Sequence, residues 1–107
     1  MVDMARDDQR LGGLGDVLLA LRSESAVLRR KGIIHAFVFG SVARGDDHAA
    51  SDIDIAVDAA PFVGSPAVME IEEMLTARLG RPVQIISKRG LRPRQHASIL
   101  HEMVEAF

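Results

Sequence analysis

The chain has no cysteine, no tryptophan and no tyrosine, and only four phenylalanines among its 107 residues. Without cysteine there can be no disulfide and no thiolate metal site, which fits a reducing compartment; the expected location is the cytoplasm. With so few aromatic rings there is little on which unpaired bases could stack. Positive charge is scarce too: 13 Lys and Arg stand against 15 Asp and Glu, for a net charge of −2. That balance provides no broad basic footprint for a nucleic acid, so direct nucleic-acid binding is not expected. No apolar run approaches membrane-spanning length, and the opening MVDMARDDQR is acidic rather than a basic leader. Neither membrane insertion nor secretion is expected. The four histidines, His35, His48, His96 and His101, show no i,i+4 pair, and there is no cysteine to complete a zinc site with them.

What remains is an ordinary globular composition, 48% hydrophobic and 26% charged, in a chain long enough for one small domain with its own core. Residues 1–12 read as a flexible N-terminal tail, and residues 13–107 as the domain. Val17, Leu18, Leu21 and Leu28 recur at helical spacing, predicting one helix from about Asp16 to Arg30, stopped at Gly32. Ile33 to Phe39 is apolar except for His35, the pattern of a central strand buried on both faces. Ser41 to Gly45 has the length of about one helical turn. Ser51 to Asp58 alternates, with Asp52, Asp54, Ala56 and Asp58 on one face and Ile53, Ile55 and Val57 on the other.

Ser65 and Pro66 predict a helix start, with Ser65 as N-cap and Pro66 at the first helical position. Val68, Ile71, Leu75 and Leu79 form its apolar stripe, and Gly80 and Pro82 end it. Val83 to Ser87 predicts a short third strand. Pro93 to Phe107 predicts a closing helix that buries Ile99, Leu100, Met103, Val104 and Phe107; Met103 and Phe107 on this helix also offer an apolar face to a partner. The expected fold is α/β, a small mixed sheet packed with helices.

The chemistry concentrates in Phe39-Gly40-Ser41-Val42-Ala43-Arg44-Gly45, followed by Ser51-Asp52-Ile53-Asp54. Gly40 lacks a Cβ, so the backbone can turn sharply and a ligand can come close. Ser41 offers a hydroxyl and an N–H at the start of a turn, groups that suit phosphate oxygens. Asp52 and Asp54 lie two apart on a strand, so both point the same way, roughly 6–7 Å apart along the chain. Two carboxylates so placed repel one another and gain from a shared divalent cation. Mg²⁺ takes one or two carboxylates and completes its shell with substrate phosphates and water. A phosphate cradle followed by such a pair is the minimum equipment for metal-assisted phosphoryl chemistry. Arg44 is a candidate phosphate clamp. Asp58 lies roughly 13 Å beyond Asp54 along the strand and reads as a strand-end residue; Asp46 and Asp47 read as turn residues.

Gly40-Ser41-x-Ala43-Arg44-Gly45, then Ser51-Asp52-x-Asp54, resembles the signature of the DNA polymerase beta nucleotidyltransferase superfamily. The likeness is greatest to minimal nucleotidyltransferases (MNT domains), the antitoxins found beside HEPN toxins. Leu79-Gly80-Arg81-Pro82-Val83 and Leu91-Arg92-Pro93 extend it toward the C-terminus. The resemblance implies a polymerase beta palm-like fold. It also implies that Gly40, Ser41, Arg44 and Gly45 bind the nucleotide, and that Asp52 and Asp54 are catalytic and hold Mg²⁺ in a two-ion site. The implied reaction passes a nucleoside monophosphate, usually AMP from ATP, to a protein hydroxyl, and the implied partner is a HEPN-like toxin. One position departs from the family. Where the last strand usually reads Val-Asp-Leu-Val, this chain has Val83-Gln84-Ile85-Ile86. Glutamine offers an oxygen lone pair but no charge and no general base. A nucleotide-binding antitoxin with weakened catalysis, neutralising its partner by contact, is therefore the alternative.

Overall fold

The computed structural model describes residues 13–48 and 51–107; the segment read as an N-terminal tail lies outside the described residues. The chain runs through α1 (Leu14–Ser23), α2 (Ser25–Arg30), β1 (Ile33–Phe39), α3 (Gly40–Arg44) and β2 (Ile53–Ala59). It continues through α4 (Ser65–Leu79), β3 (Val83–Ser87), a 3₁₀ turn (Lys88–Gly90), α5 (Ala97–Glu102) and β4 (Val104–Glu105). The four strands form one mixed sheet in the order β3-β2-β1-β4. β1 pairs antiparallel with both β2 and β4, while β2 and β3 run parallel around the α4 crossover. Among the described residues no helix is long and apolar enough to cross a membrane.

The expected first helix is two. Ser23 donates its hydroxyl to the Ala20 carbonyl, and the Glu24 N–H is shared between the carbonyls of Ala20 and Leu21. A serine bonding back to the preceding turn competes with the helix ladder. Glu24 leaves helical geometry there, at φ −96° and ψ 5°, and α2 starts afresh. Both pieces still turn their apolar residues inward: Val17, Leu21 and Leu28 join Ile71 and Leu75 of α4 on one face of the sheet. The sheet meets them with Ala36, Val38, Ile53, Ile55, Val57 and Val83.

β1 is buried less evenly than its composition suggested. A register shift between Ile33 and His35 lets Ile33 and then Ala36 both face the core, leaving Ile34 and His35 exposed. An extra residue in a strand has this effect, because side chains otherwise alternate strictly. The opposite face of the sheet carries His35, Phe37, Phe39, Asp54, Ala56, Asp58, Gln84 and Ile86 by register. Part of it is sheltered by the turn after β3, which brings the Lys88 ammonium to 4.4 Å from the centre of the Phe37 ring.

α4 begins as expected with Pro66 in its first turn, but the N-cap is Gly64, and Ser65 makes no capping bond. Gly80, at φ +73°, ends it in the left-handed conformation that glycine adopts without strain. α4 also guards the free edge of β3. Thr76 Oγ1 accepts the Val83 N–H, and Glu72 accepts that of Ile85 at 2.8 Å. These are donors that an unprotected edge strand would offer to another chain.

The closing helix is the main correction. Only Ala97–Glu102 is helical, and Val104–Glu105 forms a strand beside β1, prolonged by a reciprocal pair between Ala36 and the residues 106–107. Ile99, Leu100, Met103, Val104 and Phe107 are half-buried rather than core. Arg22 holds the Ala106 carbonyl at 2.8 Å, and Arg29 lies over the Phe107 ring. The last residues thus complete the sheet, and Phe107 is not on a helical docking face.

Candidate active site

β1 ends in the extended residue Phe39, and Gly40 then turns the chain at φ +77° into the five-residue α3. Glycine is needed here twice over. The backbone is left-handed, and a Cβ would run into the Asp54 carboxylate. Gly45, at φ +80°, closes α3, its N–H taken by the Ser41 carbonyl. Its contribution is the shape of the turn. Ser41, half-buried, stands at the start of α3, as the sequence predicts.

The carboxylates enter from β2. Asp54 pairs in register with Phe39 on one side and with Gln84 of β3 on the other. Paired residues share a face, so Gln84 lies on the Asp54 side of the sheet. Asp52, two residues earlier, is exposed just before the strand. Gly40, Ser41, Asp52, Asp54 and Gln84 are therefore brought to one end of the sheet. Asp58 lies at the other end, opposite His35.

Partial burial, first, pushes the Asp54 carboxyl above the usual carboxylate range; the charge of Asp52 adds to this, Arg44 opposes it and Glu102 adds again. A group in this position gains from a nearby cation. Two carboxylates suit one Mg²⁺ held jointly with phosphate oxygens and water. Among the described residues no cluster of three His, Asp or Glu is placed to hold a metal.

Two features escaped the sequence. The first is Glu102, at the end of α5. One of its oxygens accepts the Gly40 N–H at 3.1 Å and the other accepts Arg44 Nη1 at 3.0 Å. Arg44 also donates through Nε to Asp46 at 3.2 Å. These bonds, that to Glu102 foremost, hold the guanidinium pKa above its ordinary value. Arg44 does stand beside the site, but its charge is already engaged. The second feature is Arg81, buried at 7% exposure. It donates to the carbonyls of Ser51 (2.8 Å) and His48 (3.2 Å) and to the Asp47 carboxylate (3.0 Å). Asp47 is thus no mere turn residue: it pairs with Arg81, which also holds His48 and Ser51, the residue before Asp52. No spacing rule announces either contact, since each joins residues more than thirty positions apart.

A separate groove of about 420 Å³ lies at the far end of β2 and β3, lined by Ala59, Val63, Val68, Met69, Ile86 and Arg89 among others. It lies away from Asp52 and Asp54.

The sequence model of the family described as Polymerase beta, Nucleotidyltransferase matches residues 24–105. A protein adenylyltransferase MntA of Thermococcus cleftensis is 36% identical over 75 residues, 70% of this chain and 76% of the relative. A solved structure assigned as a minimal nucleotidyltransferase is 36% identical with a TM-score of 0.65, covering 81% of this chain and 93% of its own. A crystal structure of a toxin–antitoxin with AMP-PNP superposes with the same TM-score at 25% identity, over 80% of this chain and 72% of that one.

Proposed function

Because the chain belongs to the polymerase beta nucleotidyltransferase family, we propose that its carboxylate site transfers a nucleoside monophosphate, AMP from ATP, to a hydroxyl of a protein partner. The observation that carries this reading is the meeting of Gly40 and Ser41 with Asp52 and Asp54 at one end of the sheet. The name of the Thermococcus relative supports adenylyl transfer, and the AMP-PNP-bound neighbour supports a toxin as partner. The partner we infer is a HEPN-type toxin, silenced by the modification, and the setting is the cytoplasm.

Ser41 and the Gly40 turn bind the phosphates, and Asp52 and Asp54 would hold Mg²⁺ against them. The ion supplies charge neutralisation for the triphosphate and the departing pyrophosphate. The partner hydroxyl attacks the α-phosphorus, and the bond to the oxygen bridging the β-phosphorus breaks. Gln84 cannot take the hydroxyl proton, which passes to water instead. Loss of a positioned base typically costs about 10²–10⁴ in rate, so transfer is expected to be slow.

Gln84 also favours a second reading, in which the protein binds nucleotide and neutralises its partner by contact. The two are separated by incubating the protein and its partner with Mg²⁺ and ATP labelled at the α-phosphate. Label appearing on the partner, with none transferred from γ-labelled ATP, supports the enzyme. ATP binding without transfer moves the account to the second reading, and no binding at all contradicts both.

A further inference from the structure

Two donors of the nucleotide turn, the Gly40 N–H and the Arg44 guanidinium, are both engaged by one carboxylate of the same chain. Glu102 spends one oxygen on the Gly40 N–H and the other on Arg44. We propose that Glu102 is a tethered anion standing where a nucleotide phosphate binds, and that the phosphate must displace it to reach the Gly40 N–H and Arg44. The proposal rests on the nucleotide reading of the site and adds to it a control of affinity.

The geometry is that of an anion site already filled. A single N–H cannot serve Glu102 and a phosphate at full strength together, and bonds from Arg to a carboxylate are among the stronger ones in proteins. Charge points the same way. With Glu102 in place, an approaching phosphate meets Asp52, Asp54 and Glu102, while Arg44 is already paired with both Glu102 and Asp46. With Glu102 turned away, one negative charge leaves and Arg44 is released toward the phosphate.

The movement required is small. Glu102 is the last residue of α5, and its side chain is 19% exposed, so it borders solvent. Beyond it the chain is held to β1 through Ala36 and by Arg22. Rotation about the side-chain bonds of Glu102 is enough, and the sheet stays intact. Apparent affinity is then the intrinsic affinity reduced by the fraction of molecules in which the site is open.

A strut reading makes the opposite forecast, because a residue that merely holds the turn in shape should weaken binding when removed. Calorimetric titration of Mg²⁺–AMP-PNP, and of inorganic tripolyphosphate with Mg²⁺, into wild type, Glu102→Gln and Glu102→Ala decides between them. We expect both variants to bind both probes more tightly, by on the order of tenfold. Equal or weaker binding by variants that melt like wild type overturns the proposal while leaving the nucleotide site standing. Failure of all three proteins to bind either probe overturns the site reading and the proposal together. The wild-type protein gives an independent check by NMR. Saturation with tripolyphosphate should shift the side-chain carboxylate carbon resonance of Glu102, because its bonds to Gly40 and Arg44 are given up. An unmoved resonance at saturation contradicts displacement.

Discussion

Asp54 sits between opposing demands: partly buried, beside Asp52, and pressed against a glycine that has no room for a Cβ. Its raised pKa carries a sign that can be measured in metal-free protein. In the window above the ordinary carboxylate range, up to the raised value, the folded state binds more protons than the unfolded one, so stability falls as pH rises through it. Above the window the ionised Asp54 is a standing cost; below it, folded and unfolded chains are both protonated and the cost is gone. Asp54→Asn should therefore melt higher than wild type near neutrality in EDTA, with the advantage shrinking as the pH is brought below the carboxylate range. An advantage that grows in acid would contradict the assignment. Gln84 poses the converse test. It pairs with Asp54 in register, so Gln84→Asp should accelerate transfer by about 10²–10⁴ and lower stability modestly without nucleotide, where three carboxylates repel. It should also gain more thermal stability from Mg²⁺–ATP than wild type does. An unchanged rate with unchanged Mg²⁺–ATP stabilisation would remove Gln84 from the site.

At the level of elements, Asp47, His48 and Ser51, between α3 and β2, are held by Arg81. Arg81→Met keeps the apolar stem but abandons the Ser51 and His48 carbonyls and strands Asp47, which is only 16% exposed. We expect a loss of about 2–3 kcal/mol in urea unfolding and weaker Mg²⁺–nucleotide binding, since Asp52 directly follows Ser51. A variant as stable as wild type would mean that Arg81 does not hold these residues. The same contacts mark a limit of legibility. Gly40, Ser41, Asp52 and Asp54 are readable because a glycine turn and a two-residue strand period are local facts. Arg81 with Asp47, and Glu102 with Gly40, are pairings made by tertiary structure, with no local spacing behind them. Elements divide in the same way. β2, α3, β3 and the Gly80 stop of α4 follow from alternation and helix-ending chemistry. The end of the chain is not legible because a short apolar run suits either a helix or a strand, and the edge of β1 that it joins is a non-local fact. The break at Glu24 escaped because Ser23 is an unremarkable helix residue until its hydroxyl is seen bonding backward.

At the scale of the whole molecule, the sheet presents its helix-covered face to the core and keeps the site on the other, at the end bounded by α3 and α5. That arrangement leaves Asp52 exposed and Asp54 half-exposed. Co-expression with a HEPN-type partner should yield a complex that co-elutes; separate elution, with neither protein modified, would contradict the transferring and the masking accounts alike. The most direct test of the central claim is the intact mass of that partner after co-expression with wild type and with Asp54→Ala. Asp54 is half-exposed and contributes little to the core, so the variant should fold and still bind its partner. The account predicts partner carrying one or more added adenylyl groups with wild type, even if slowly acquired, and unmodified partner with Asp54→Ala. Equal modification in both would show that the Asp52–Asp54 site is not where the transfer takes place.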